Sequence, residues 1–107
     1  MSVDHRYSLL QQYQTNVHIT TQPYTLIGTD SGRAFTNTGA LASTTITLPK
    51  AAPSLTYVFL GNAASPLVVQ PKVTDTIRGS SVGVATSLTA GVVLTLLCIT
   101  PGFWEIM

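Results

Sequence analysis

Charge is what this sequence has least of. Of its 107 residues, 8% are Asp, Glu, Lys or Arg, against roughly a quarter in an average soluble protein. Five basic and four acidic side chains cannot clothe a domain in the usual mixed-charge surface. Thr, Ser, Asn and Gln must supply the rest of the solvent face, or another molecule must cover it. The cations Arg6, Arg33, Lys50, Lys72 and Arg78 are scattered along the chain, whereas a nucleic-acid backbone is held by clustered ones. Nucleic acid is therefore not an expected partner. Cys98 is the only cysteine, which excludes an intrachain disulfide and a cysteine-based zinc site. Its place in an apolar alternation marks it as a small buried hydrophobe. The stretch MSVDHRYSLLQQYQTNVH, residues 1–18, lacks the apolar core of a secretory signal, so synthesis in a cytoplasm is expected.

Catalytic patterns are missing as well. The acids are Asp4, Asp30, Asp75 and Glu105, and none is paired in sequence with a second carboxylate of the kind glycosidases use. Asp30 and Asp75 sit among Thr, Ser and Gly and read as turn-forming residues. His5 and His18 have no Cys or carboxylate cluster beside them; a metal would need one histidine from each of three chains around a symmetry axis. Neither a G-x-S-x-G elbow nor a phosphate-binding G-x-x-x-x-G-K-[ST] loop is present. The expectation is a protein that is not an enzyme and carries no cofactor.

The uncharged run VGVATSLTAGVVLTLLCI, residues 82–99, is long enough to cross a bilayer as a helix. Gly83, Thr86, Ser87, Thr89, Gly91 and Thr95 interrupt it, and its Val and Ile favour extended backbone. Val92, Leu94, Leu96 and Cys98 would share one side of a strand, with Val93, Thr95, Leu97 and Ile99 on the other. With TAG at 89–91 as a turn, the run predicts a pair of strands and no membrane span.

Residues 1–22 differ in character from the rest of the chain. Leu9, Leu10 and Tyr13 fall at helical spacing, but one turn is too short to stand alone. The segment reads as an extended arm, ordered on a partner. From residue 23 to 107 a single β-domain is expected. Candidate strands are YTLIG (24–28), RAFTN (33–37), STTITLP (43–49), LTYVFLG (55–61), PLVVQP (66–71), TIRG (76–79), SVGVATSLT (81–89), VVLTLLCI (92–99) and FWEIM (103–107). Asp30, Ser31 and Gly32 form a turn between the first two, the first two residues bonding following backbone and Gly32 supplying positive φ. Short strands with turn residues between them point to a compact antiparallel β-sandwich or barrel of about eight strands.

In 55–61, Tyr57 and Phe59 share one face while Val58 and Leu60 share the other, and 92–99 is also apolar on both sides. A two-layer monomer wets one face of each sheet. Strands apolar on both faces imply a further covering layer, most simply a sister chain. Tyr57, Phe59, Leu94, Leu96, Phe103 and Trp104 are the candidates for that inter-subunit core.

From Tyr24 onward the chain resembles a β-domain of bacteriophage tail fibres and capsid decoration proteins. The carrying text is YTLIGTDSGRAFTNTGA, TTITLPKAAPSLTYVFL, PLVVQPKVTDTIRG and LTAGVVLTLLCITPGFWEIM. The family runs from a strand through a D-S-G-[KR] turn, a strand ending in Asn and a T-x-T-L-P strand. It continues with a Y-x-F strand, a D-x-I element and a closing strand near a Trp. Asp30, Ser31, Gly32, Arg33, Asn37, Leu48, Pro49, Tyr57, Phe59, Pro71, Asp75, Ile77, Cys98 and Trp104 fill those positions. Where the family usually has Gly before the Y-x-F strand, this chain has Ser54. The resemblance implies a homotrimer without catalytic activity that caps a fibre or clamps a shell. A fibre tip needs a long shaft, and here only residues 1–22 precede the β-domain. The expectation is thus a capsid decoration (cement) protein on the virion surface, with sister subunits and the major capsid protein as partners. Val3, Tyr7, Leu9, Leu10 and Tyr13 are the arm's candidate anchors. A tail-fibre, head-fibre or baseplate component with a receptor- or glycan-binding tip is the alternative, with the TDSG and NTGA loops as its contact points.

Overall fold

The computed structural model describes residues 16–18, 24–61 and 64–107. Ten strands cross the described residues: β1 (Asn16–His18), β2 (Tyr24–Thr25), β3 (Ala34–Thr36), β4 (Thr44–Thr47), β5 (Thr56–Leu60), β6 (Leu67–Gln70), β7 (Thr76–Ile77), β8 (Thr86–Leu88), β9 (Val93–Thr100) and β10 (Phe103–Ile106). A 3-10 turn at Gly28–Asp30 is the only helical element among them. The all-β expectation is met, and each strand segment read from the sequence contains a strand. Asn16–His18, expected in the arm, is a sheet strand. The rest of the arm, with Val3, Tyr7, Leu9, Leu10, Tyr13 and His5, lies outside the described residues.

Two sheets form the body. One has six strands in the order β1-β3-β5-β9-β10-β7, the other four in the order β2-β4-β6-β8. Up to β9 the chain deals its strands alternately to the two layers. This corrects the expectation of an antiparallel domain. β1–β3, β3–β5, β2–β4, β4–β6 and β7–β10 pair in parallel, while β5–β9, β9–β10 and β6–β8 are antiparallel. The cause is the winding. A chain that visits the opposite layer between strands returns to the first layer pointing the way it left, which gives a parallel ladder. The expected strand pair within 82–99 is corrected too. β8 pairs with β6 and β9 with β5, so the turn at 89–91 carries the chain between sheets rather than closing a hairpin. The hairpin at the Pro101–Gly102 turn does form, with a register irregularity at Phe103/Trp104 and Gly102 at φ +82°.

Inward side chains from both layers meet in one core. β4 and β6 each bury alternate residues, Thr44 and Ile46 on one, Leu67 and Val69 on the other. The six-stranded sheet contributes Phe35, Tyr57, Phe59, Ile77, Leu94, Leu96, Cys98 and Trp104. The rings form a chain of contacts, Phe35 to Phe59 at 5.8 Å and Tyr57 to Trp104 at 5.8 Å between centroids, a geometry that adds to area burial. The Tyr57 hydroxyl donates to the Ile27 carbonyl at 3.0 Å. Cys98 is buried and free, as its apolar surroundings predicted.

Loops are tied to the body by buried polar side chains. Asn37 donates to the Ser65 carbonyl at 2.9 Å. Asp75, 1% exposed, accepts from the Ala51 N–H at 2.7 Å, and its own carbonyl accepts from Gly83 N–H. One residue thus ties together the loops at 51, 75 and 83. No helix of the described residues is long and apolar enough to cross a membrane.

Candidate interaction surface

The two sheets turn very different faces outward. On the four-stranded sheet the register aligns Thr25 with Thr47, Thr47 with Gln70, Thr45 with Val68 and Val68 with Ser87. These are hydroxyl and amide groups with one valine among them, a surface that water can cover. On the six-stranded sheet the outward residues of β5 and β9 alternate with the core residues Tyr57, Phe59, Leu94, Leu96 and Cys98. They align Leu60 with Val93, Val58 with Thr95 and Thr56 with Leu97, and Ala34 and Thr36 of β3 continue the Val58 and Leu60 rows.

That outer face is apolar and part of it is open. Val93 is 59% exposed and Ile99 63% exposed, with Leu60 and Leu97 half-buried beside them. Val92, Ile106 and Met107 add exposed apolar surface at the ends of the same sheet's strands. A rim of charge borders it. The Arg78 guanidinium makes a forked contact with the Glu105 carboxylate, at 2.5 Å and 3.0 Å, and lies 5.0 Å above the Phe103 ring. That contact holds the Glu105 carboxyl below the usual carboxylate range, through the hydrogen bond first and the charge of Arg78 second. It also raises Arg78 above its ordinary value, by the same hydrogen bond first.

Of the six side chains expected at an inter-subunit core, five lie elsewhere. Tyr57, Phe59, Leu94, Leu96 and Trp104 are 0 to 6% exposed inside the chain's own core and have no surface left for a neighbour. Phe103 alone is half-buried, under Arg78. Both faces of β5 and β9 are apolar, as their alternation predicts, but the aromatics lie on the intramolecular side. The residues available to another molecule are their outward neighbours Val93, Leu97 and Ile99.

The Asp30–Gly32 turn is structural, but the Asp30 and Ser31 side chains do not bond the backbone just after them as expected. The Asp30 carboxylate accepts from Ile27 N–H at 3.0 Å, three residues earlier, and from the Arg33 guanidinium at 3.4 Å. The Ser31 hydroxyl exchanges hydrogen bonds with the Thr56 backbone, accepting from its N–H at 3.0 Å. Gly32 has φ +88°. Ser54, at the position where the resembled family places Gly, has φ +73° and is the one non-glycine residue in that region among those described.

No group of three or more His, Cys, Asp or Glu side chains that could hold a metal occurs among the described residues. His18 lies in β1, at the edge of the six-stranded sheet. Lys50 and Lys72, which look scattered in the sequence, line one groove of about 510 Å³ with Thr47, Gln70, Pro71 and Val73. The available signal was the dipeptide Pro-Lys, which follows β4 at 49–50 and β6 at 71–72. No known protein family, no curated protein and no solved structure matches this chain.

Proposed function

We propose that this chain is a non-enzymatic homotrimeric decoration protein of a bacteriophage capsid, which stabilises the assembled head by binding alone. The observation that carries the proposal is the asymmetry of the two sheets. The four-stranded sheet is dressed for water, whereas the six-stranded sheet presents Val93, Leu97 and Ile99 on its outer face. A charge-poor chain has few means of keeping such a face soluble, and contiguous apolar surface marks contact sites. A sister subunit laid across β5 and β9 removes it from water, each fully buried Val, Leu or Ile contributing about 1.5–3 kcal/mol. The low charge fits, because interface cores are depleted in charged residues.

On the head, residues 1–22 with Val3, Tyr7, Leu9, Leu10 and Tyr13 are the contact to the major capsid protein. Contacts made to the assembled shell but not to loose capsomers draw the equilibrium towards the shell by mass action. A receptor-binding tip is the weaker fit. In the TDSG and NTGA loops, Asp30, Ser31 and Asn37 are already engaged with the chain's own backbone.

The test is a solution mass followed by a head-stability assay. Light scattering of the wild type is expected to give three times the 11.3 kDa of one chain. Val93→Lys with Ile99→Lys is expected to give folded monomers, because both positions are exposed in the single chain. Added to undecorated heads, the wild type should raise their melting temperature. A wild-type monomer that shelters the β9 face, or heads that neither bind it nor gain stability, would overturn the proposal.

A further inference from the structure

We infer that the groove between the two Pro-Lys corners is a docking site for an acidic polypeptide segment carrying an apolar side chain, supplied by a partner protein. It sits at the ends of β4 and β6, in the four-stranded sheet, and does not depend on the homotrimer or on the six-stranded sheet's outer face.

The winding creates the site. β4 and β6 are parallel neighbours with Thr47 beside Gln70, and each is followed by Pro-Lys. The same corner therefore recurs on successive circuits, bringing two ammonium groups to one groove. Both lysines are exposed, so an anion on another molecule can approach them together.

The acidic groups of the described residues are engaged elsewhere. Arg33 is paired with Asp30 and Arg78 with Glu105, while Lys50 and Lys72 have no carboxylate partner among the described residues. The nearby Asp75 carboxylate is buried and held by the Ala51 N–H. In a chain this poor in charge, two neighbouring unpaired cations are a large share of the available field.

The floor of the groove selects the kind of anion. Buried Pro71 is its apolar base, and Val73, 83% exposed, stands beside it. The Gln70 amide is already committed, donating to the Pro71 carbonyl at 3.0 Å and to the Gly83 carbonyl at 2.9 Å. No aromatic ring lines the groove, so a sugar or nucleobase has no stacking surface there. Two lysines sharing a groove with apolar Pro71 and Val73 complement carboxylates beside an aliphatic side chain. Lys, a compact charge without a planar fork, suits single carboxylates from a flexible segment.

The probe is an acetylated, amidated hexapeptide of alternating glutamate and leucine, titrated into isotopically labelled full-length protein and followed by amide chemical shifts. Saturable shifts are expected at Gln70, Lys72, Val73 and Thr74. Lys50→Gln combined with Lys72→Gln should weaken binding about tenfold, the sum of two exposed ion pairs, with the melting temperature unchanged. Raising the salt to about 0.5 M should weaken it comparably. Shifts centred elsewhere, or an unchanged affinity in the double variant, would refute the site. Equal binding of a glutamine–leucine peptide would remove the role of charge and overturn the acidic assignment. Equal binding of inorganic phosphate would reduce the groove to a simple anion site and overturn the peptide assignment.

Discussion

Gly61→Ala offers the most direct check on how the two sheets are joined. Gly61 ends β5 where the 89–92 turn crosses from the four-stranded sheet into β9. An added Cβ would lie 2.5 Å from the Thr89 carbonyl oxygen, 2.8 Å from that of Leu88 and 3.1 Å from the Leu88 carbonyl carbon. All three atoms are backbone, so no rotamer change relieves the clash, and the turn must recede by about 1 Å to reach ordinary contact. Two short backbone hydrogen bonds hold it there, Gly61 N–H to the Val92 carbonyl at 2.9 Å and Gly91 N–H to the Gly61 carbonyl at 2.7 Å. Stretching both loses about 1 kcal/mol each, and overpacking adds about 1 kcal/mol or more. The expected loss is about 3 kcal/mol, which in a domain of this size lowers the melting temperature by more than about 10 °C. Thermal and urea melts followed by circular dichroism measure it, and hydrogen exchange should show faster exchange of the Gly61 and Gly91 amides. Gly39→Ala is the control. Gly39 has φ +86° but open space where its Cβ would go, so it bears only the left-handed penalty of about 1–2 kcal/mol. A Gly61→Ala variant that melts within about 2 °C of wild type, or is no worse than the control, would refute the close approach.

Two further tests concern single side chains. Ser54→Gly should stabilise the protein by about 0.5 kcal/mol, since relief of the left-handed strain exceeds the extra chain entropy of glycine; a lower melting temperature would show that Ser54 is not strained. The Tyr57 phenol is pushed up to about 12, by burial first and by the Asp30 carboxylate second. Because the unfolded tyrosine ionises near pH 10 while the folded one stays neutral, its contribution is intact below pH 10 and drains away as pH climbs towards 12. Urea melts at pH 8 and pH 11 should therefore differ less in Tyr57→Phe than in wild type, and equal differences would refute the assignment. That variant also loses the bond to Ile27, which costs it about 1 kcal/mol at both pH values.

Strand positions were legible because the physics that sets them is local. Alternation in STTITLP and LTYVFLG, and the prolines at 66 and 71 flanking β6, mark where extended backbone begins and stops. Pairing was not legible, because alternation says which residues share a face and is silent about which strand lies alongside. The run 82–99 shows the difference. Its two strands and its turn at Gly91 were all readable, yet an identical pattern fits a hairpin and a crossing between layers. The contact surface was half legible for the same reason. Both faces of β5 and β9 are apolar in the text, and only the second sheet decides that Tyr57 and Trp104 point inward while Val93 and Ile99 do not. Lys50 and Lys72 became neighbours through the circuit of the chain, which no spacing rule for helices or strands anticipates.

The order of strands also bears on how the protein is made. β5, from the middle of the sequence, finds its inner neighbour only in β9, and the aromatic cluster is completed by Trp104 on β10. A ribosome must therefore emit every strand from β3 to β8 before the layer that seals Phe35, Tyr57 and Phe59 can be completed. Between the emergence of Phe35 and that of Trp104 the growing chain carries rings not yet enclosed, an interval in which association with other nascent chains or with chaperones competes with closure.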